Sequence, residues 1–247
     1  MSFPDTRAIE MAGLKCWPGL EAEWDGGWVR RAAGGYTKRA NSVQCFDASD
    51  DGEAPQRLVA ARRWFDSRNI RPAFRVTPLA GVGVLRALDA AVWASIDHSR
   101  LMAMELGPVE ADPRGSLQAP LDAGFVEVQR RLQEYDDATT ERMRALFGAF
   151  TVPARGVIVA DGDGRAVAAA LVSVDGGIAL TSGVVTDPAA RRQGFGAAAV
   201  RTGLAWAQSV GARFATLNVA AENVAAQALY VRLGFAPHYD YHYRVPQ

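Results

Sequence analysis

"TDPAARRQGFGAAAV", residues 186–200, decides how this chain is read. Arg191 and Arg192 stand just ahead of Gly194 and Gly196, and an alanine-rich run follows. An apolar strand, "GIALTSGVV", lies upstream. Downstream, Ala197, Val200, Leu204 and Ala207 recur three and four apart, the spacing of one helical face. The glycines therefore sit where a strand turns into a helix. A helix N-terminus presents unpaired amides and a partial positive charge. Glycine lets the backbone approach an anion and adopt conformations barred to other residues. Two guanidinium charges strengthen the same place. Such a junction is an anion site, most often for phosphate.

The Walker pattern GxxxxGK[ST] is absent. The dinucleotide pattern GxGxxG is met only loosely, with Ala199 in third place. A dinucleotide fold also alternates strand and helix from its start. Here "RGVIVADGDGRAVAAALVSVDGGIALTSGVVT" comes first, three apolar runs punctuated by "DGDG" and "DGG", a hairpin meander. The other glycine cluster, "GVGVLR" from Gly81, has Arg86 at the third position and no clean strand before it.

Further outward, "GFVEVQR" reads as a strand and "DDATTERMRALFGAF" as a helix. "ARFATLNVA" reads as a strand, "ENVAAQALYVRLGF" as a helix and "HYDYHYRV" as a last strand. The first part of the chain is richer in Trp, Arg and Gly. "GLEAEWDGGWVRRAAGGYTKRANSV" suggests two short strands and "APQRLVAARRWFDSRNI" an amphipathic helix. "RPAFRVTP" suggests a strand, "GVGVLRALDAAVWASI" a helix and "RLMAMEL" a strand. The Pro, Gly and acidic residues of "GPVEADPRGSLQAP" mark a linker, dividing the chain into 1–118 and 119–247. "RRWFDSRNIRPAFRV" and "ALYVRLGFAPHYDYHYRV" share a helix–turn–strand texture that hints at duplication.

The strand-to-helix stretch resembles the signature [RQ]xxGx[GA] of the GNAT superfamily of acetyl-CoA-dependent N-acetyltransferases, through Arg191, Gly194 and Gly196. A second signature, NxxAxxxYxxxGF, is met by Asn223, Ala226, Tyr230, Gly234 and Phe235. The order of elements over roughly 122–245 is similar too. The resemblance implies an α/β (α+β) fold, with a mixed, mostly antiparallel central sheet flanked by helices. Residues 119–247 would be the catalytic half and 1–118 a degenerate copy, as in two-part bacterial members. That first half carries no [RQ]xxGx[GA] motif, so no second acetyl-CoA site is expected there.

The resemblance also assigns roles. Acetyl-CoA would be the cosubstrate, its pyrophosphate held by backbone amides of Arg191, Arg192, Gln193, Gly194, Phe195 and Gly196. The strand edge at Gly183, Val184 and Val185 would pair with the pantetheine arm. Asn223 would touch the cofactor near its thioester, and Tyr230 would protonate the departing thiolate. Asn223 and Tyr230 are two helical turns apart and share a face. A phenol with pKa about 10 is a reasonable acid for that role. The bland alternatives are a polar residue in a first helical turn for Asn223 and a core aromatic for Tyr230. For a base the sequence offers Asp175, in a turn, Glu127, or a water relay.

The remaining features set limits. Lys+Arg and Asp+Glu are both 27 in 247 residues, a balance that gives no support to nucleic-acid binding. No run of eighteen apolar residues suggests a membrane span. "MSFPDTRAIEM" carries no charged-then-apolar leader, so a cytoplasmic chain with reduced Cys16 and Cys45 is expected. His98, His238 and His242 form no helical metal pair, and no metal is expected; His238 and His242 are candidates for the acceptor side. The basic, glycine-rich "RRAAGGYTKRANS" is either a solvated hairpin, a second anion site or a wall of the acceptor pocket. The expected partner is a small-molecule or peptide amine and the expected state a monomer or homodimer. A non-catalytic acyl-CoA sensor and a transferase of other acyl groups remain as alternatives.

Overall fold

The computed structural model describes residues 3–247. Eleven strands form one continuous sheet, in the order β1-β2-β3-β4-β11-β5-β10-β9-β8-β7-β6. Its first part holds α1 (Thr6–Cys16), β1 (Glu21–Asp25), β2 (Trp28–Ala32), β3 (Val43–Cys45), α2 (Ala54–Asp66), β4 (Phe74–Val76), α3 (Val82–Ala90) and β5 (Trp93–Glu105). Next come β6 (Gly115–Gln118), α4 (Ala123–Leu132), α5 (Asp137–Gly148), β7 (Ala154–Ala160), β8 (Ala166–Asp175) and β9 (Ile178–Thr186). The chain finishes with α6 (Phe195–Ser209), β10 (Phe214–Ala220), α7 (Val224–Arg232) and β11 (Ala236–Pro246). Among the described residues, no helix is long and apolar enough to cross a membrane.

Two strand pairs are parallel, β3 with β4 and β9 with β10, and each is bridged by a helix. The other neighbours run antiparallel. The order strand–strand–strand–helix–strand–helix–strand thus occurs twice, as β1 to β5 and as β7 to β11. The last strand of each series lies beside strands of the other: β5 pairs with β10, and β11 with β4. By this order α2–β4 matches α6–β10, so the echo heard in the sequence is displaced by one helix–strand unit.

Alternation along the strands sorts the residues by face. Trp28, Val43, Cys45, Phe74 and Val76 form an apolar core under α2 and α3. Arg31, Gln44 and Arg75 alternate with them and turn to the opposite face, yet all three are buried. In the second series, α6 and α7 pack over Leu217, Val219 and Val172. On the other face, Phe125, Met143, Leu146 and Phe147 of α4 and α5 pack with Trp17 and Leu180. Helix α1 crosses to this side, where Ser173 Oγ donates to the Cys16 carbonyl at 2.8 Å.

"GFVEVQR" is helical, not a strand. The Asp122 side chain accepts from the amides of Gly124 and Phe125, starting α4. Phe125, Val126 and Gln129 then fall on one buried helical face. The helix read into "GVGVLRALDAAVWASI" stops at Ala90, and Trp93 already belongs to β5. Helix α1 and strands β3 and β6 have no counterpart in the sequence reading.

Candidate functional site

β9 and β10 run side by side only from Ile178–Phe214 to Thr181–Leu217. Beyond Thr181, β9 has no partner on its β10 side among the described residues, while β8 follows its other edge to Thr186. The divergence coincides with a bulge. The β8–β9 register slips between Leu171/Ser182 and Ala169/Val185, and Gly183 takes φ 57°. A left-handed residue in a strand bends it and strengthens its local twist. Gln129 Nε2 of α4 donates to the Gly183 carbonyl at 3.0 Å and fixes the bend. The edge of Gly183, Val184 and Val185 thereby faces an opening between the two strands.

The chain reaches α6 through a tight turn. Pro188–Ala190 form a 3-10 turn capped by Asp187, whose side chain accepts from the Ala189 amide at 3.0 Å. Arg165 anchors Asp187 from outside. Arg192 and Gly194 both adopt left-handed backbone, φ 62° and 82°. Gly194 caps α6 without a side chain. None of the amides from Arg192 to Gly196 finds an acceptor among the described residues. Alternating handedness of this kind points successive N–H groups into one concavity, an anion nest. A Cβ on Gly196 would stand 3.0 Å from Thr186 Oγ1, so that hydroxyl would have to give way. Arg191, Arg192 and Gln193 are exposed around the nest.

Arg114 was missed by sequence reading. It lies in the stretch read as a linker, yet its guanidinium stacks over Phe195 at 5.0 Å. Its Nη2 would be 3.9 Å from a Cβ on Gly194. Asp112 holds Arg114 at 2.8 Å and also bonds Arg201. Hydrogen bonds from Arg114, opposed by burial, keep the Asp112 carboxyl well below the usual range. Asp and Arg two apart in a Pro-rich segment are a signal too common to have been found.

α7 brings the other predicted residues. The Asn223 side chain accepts from the Ala226 amide at 3.0 Å, capping the helix, so its carbonyl oxygen is engaged and its Nδ2 is free. Tyr230 is buried against Phe235 and shares a cluster with Leu217 and Val219 of β10, with Val184 of β9 packed beside it. The same cluster takes in residues of both diverging strands. Burial pushes its phenol up to about 12, so it is protonated throughout the physiological range.

The candidate bases fall elsewhere. Glu127 is on the outer face of α4, bound to Arg130 at 2.7 Å. Asp175 sits at the far turn of β8–β9, paired with Lys15 at 3.2 Å. His238 packs on Phe3 and Tyr239. His242 stacks on His98 at 5.2 Å. No group of three or more His, Cys, Asp or Glu suited to a metal occurs among the described residues. Cys16 and Cys45 are both free and buried; burial pushes the Cys16 thiol up to about 12.

A mixed, mostly antiparallel sheet flanked by helices is the fold of the GNAT N-acetyltransferases. The structure of the "GCN5-related N-acetyltransferase from Kribbella flavida" superposes with a TM-score of 0.70 at 20% identity, covering 100% of this chain and 97% of that one. A "Tandem GNAT protein from the clavulanic acid biosynthesis pathway" superposes with 0.65 at 15% identity, covering 98% and 89%. The chain belongs to the family described as "Probable histone acetyltransferase Rv0428c C-terminal", whose sequence profile matches residues 4–244. It is also 26% identical over 247 residues, 98% of each chain, to the "Uncharacterized N-acetyltransferase YobR" of Bacillus subtilis (strain 168).

Proposed function

We propose that the protein is an acetyl-CoA-dependent enzyme that moves an acetyl group directly to a primary amine. The observation that carries this is the unsatisfied amide nest of Arg192–Gly196 beside the split between β9 and β10, with Tyr230 in the apolar cluster that takes in both strands. The nest, with Arg191, Arg192 and Arg114, suits the CoA pyrophosphate. The free edge at Gly183–Val185 suits the pantetheine amides, which would continue the sheet as an extra strand. Asn223 Nδ2 is free to meet the cofactor near its thioester.

In the transfer, the amine nitrogen forms a bond to the thioester carbonyl carbon. The C–S bond breaks, its electron pair goes to sulfur, and the Tyr230 hydroxyl gives sulfur a proton. The attacking ammonium loses one proton to solvent beforehand, and the second, shed by the adduct, returns through water to the Tyr230 oxygen, so that one proton is released overall. Holding both reactants in one cleft replaces a chance encounter with a positioned one. No enzyme nucleophile is needed.

Only one of the two helix-bridged parallel pairs is equipped for this. At the matching junction between β3 and α2, residues 46–53 contain Asp47, Asp50, Asp51 and Glu53. Asp50 takes the Gly27 amide and Arg57, and Asp51 takes the Gly83 amide. Carboxylates stand there where the second series offers free amides, which disfavours a phosphate. Residues 1–118 then serve to complete the sheet and shape the acceptor side, and 119–247 to bind the cofactor.

The test is acetyl-CoA-dependent thiol release across a library of amines, with the wild-type chain and Tyr230→Phe. Turnover with some amine, cut about 100-fold or more in the variant at unchanged acetyl-CoA affinity, supports the reading. Tight acetyl-CoA binding with no turnover on any amine would favour a sensor of acyl-CoA instead.

A further inference from the structure

An open cleft of about 340 Å3 lies at the C-terminal end of β10, just past the point where β9 leaves it. Asn218, Val219 and Ala220 of β10 form its floor, and Tyr241 and Tyr243 of β11 one wall. The opposite side is the segment Thr37–Arg39 from the first part of the chain. The cleft adjoins a small cavity of about 20 Å3 with which it shares Arg39 and Asn218. Volumes of a few hundred Å3 suit small metabolites.

The inner end of the cleft is short of negative charge. Arg31, Arg39 and Arg75 meet there with one carboxylate, Glu10. Glu10 is taken by Arg75 at 2.8 Å and by Gln44 at 2.7 Å. The guanidinium of Arg31, a residue 3% exposed, donates to the carbonyls of Trp17 and Arg39. Burial, with repulsion from Arg75 and Arg39, lowers its guanidinium to about 10. The Arg39 guanidinium pairs with no carboxylate among the described residues. It rests on the Trp17 ring at 4.8 Å, and its Nη1 is buried with no hydrogen-bond partner. A buried guanidinium nitrogen left without an acceptor is costly, and a planar anion reaching it through the cleft would satisfy it bidentately. The rim differs: Lys38 is neutralised by Asp97 at 2.8 Å, and Glu222 supplies a carboxylate beside the end of β10.

We propose that this cleft is the acceptor site and that it selects amines bearing a carboxylate, the carboxylate docking on Arg39 and the ammonium lying towards Glu222. This rests on the transferase reading for the amine's fate, but not for its binding. The same charge pattern disfavours a lysine-rich peptide, whose extra cations would meet Arg39 and Arg31.

Calorimetry tests it on the full chain, with and without saturating CoA. The probes are glycine, β-alanine, 4-aminobutyrate and L-lysine, each against its own carboxamide, and a lysine-rich peptide. At least one acid should bind about tenfold or more tighter than its amide. Arg39→Gln should erase that preference at unchanged melting temperature, and Arg39→Glu should turn it towards 1,4-diaminobutane, a gain that misfolding cannot produce. The proposal is overturned if no acid outbinds its amide, if nothing in the panel binds, if the peptide binds best, or if Arg39→Gln keeps the preference. Acetyl-CoA titrated in parallel separates the two claims: acids bound through Arg39 without acetyl-CoA binding would sink the transferase reading alone.

Discussion

At single positions the account depends on Gly194 and Tyr230. Gly194 holds φ 82°, where a β-branched residue is strained by about 1–3 kcal/mol. Gly194→Val should therefore turn the amides of the nest aside and weaken acetyl-CoA binding at least about tenfold. Equal affinity by calorimetry would remove the nest from the cofactor site. Tyr230 makes a different prediction. Its phenol is raised to about 12 by burial, so it keeps its proton at every pH an assay can use. The pH–rate profile should show no loss on the alkaline side from this group below pH 10. A Tyr230-dependent alkaline limb near pH 8 would contradict the burial argument.

Among the elements, α4 is the test case. Phe125 is fully buried and packs on Gly156, where a Cβ would lie 2.6 Å from its ring. Phe125→Ala should cost about 3–5 kcal/mol in urea unfolding; a loss under 1 kcal/mol would mean α4 does not hold the sheet. This element also shows what the sequence leaves hidden. Phe125, Val126 and Val128 alternate imperfectly with Glu127 and Gln129, a texture that fits a strand by residue type. The Asp122 cap and the buried i, i+1, i+4 positions decide for helix, and both depend on what lies beneath. The meander, α6, β10, α7 and both signatures were legible because turn glycines, strand alternation and helical spacing are local. Arg114 was not, because its meaning comes from Gly194, brought to it across the fold; Arg39 lies in the basic, glycine-rich stretch whose alternatives the sequence leaves open, and its seat on Trp17 is set by the fold. β3 was hidden by its shortness, and α1 by a mixed pattern that makes sense only with Glu10 buried.

The whole molecule is tied together at Glu10. It joins α1 to β3 through Gln44, to β4 through Arg75 and to β11 through Tyr239. Burial alone would raise its carboxyl, but the Arg75 charge and the hydrogen bonds of Arg75, Tyr239 and Gln44 outweigh it and hold the group below its ordinary 4.5. A depressed carboxyl stabilises the fold above that value, and the stabilisation fades as pH falls through the lower folded value. Glu10→Gln leaves Arg75 buried without its anion and should cost about 3–5 kcal/mol at pH 7. The gap to wild type should narrow once the pH drops below 4.5. A constant gap in urea midpoints from pH 7 to pH 3 would refute the ionised pair.

The central claim is that the junction of β9 and α6 holds acetyl-CoA, and parallel calorimetric titration with acetyl-CoA, CoA, NAD and ATP tests it most directly. The account predicts micromolar binding of acetyl-CoA and CoA, lost in Gly194→Val, and none of comparable strength for NAD or ATP. No binding of acetyl-CoA, or a preference for NAD, would mean that Gly194 and Gly196 serve only the turn or another nucleotide.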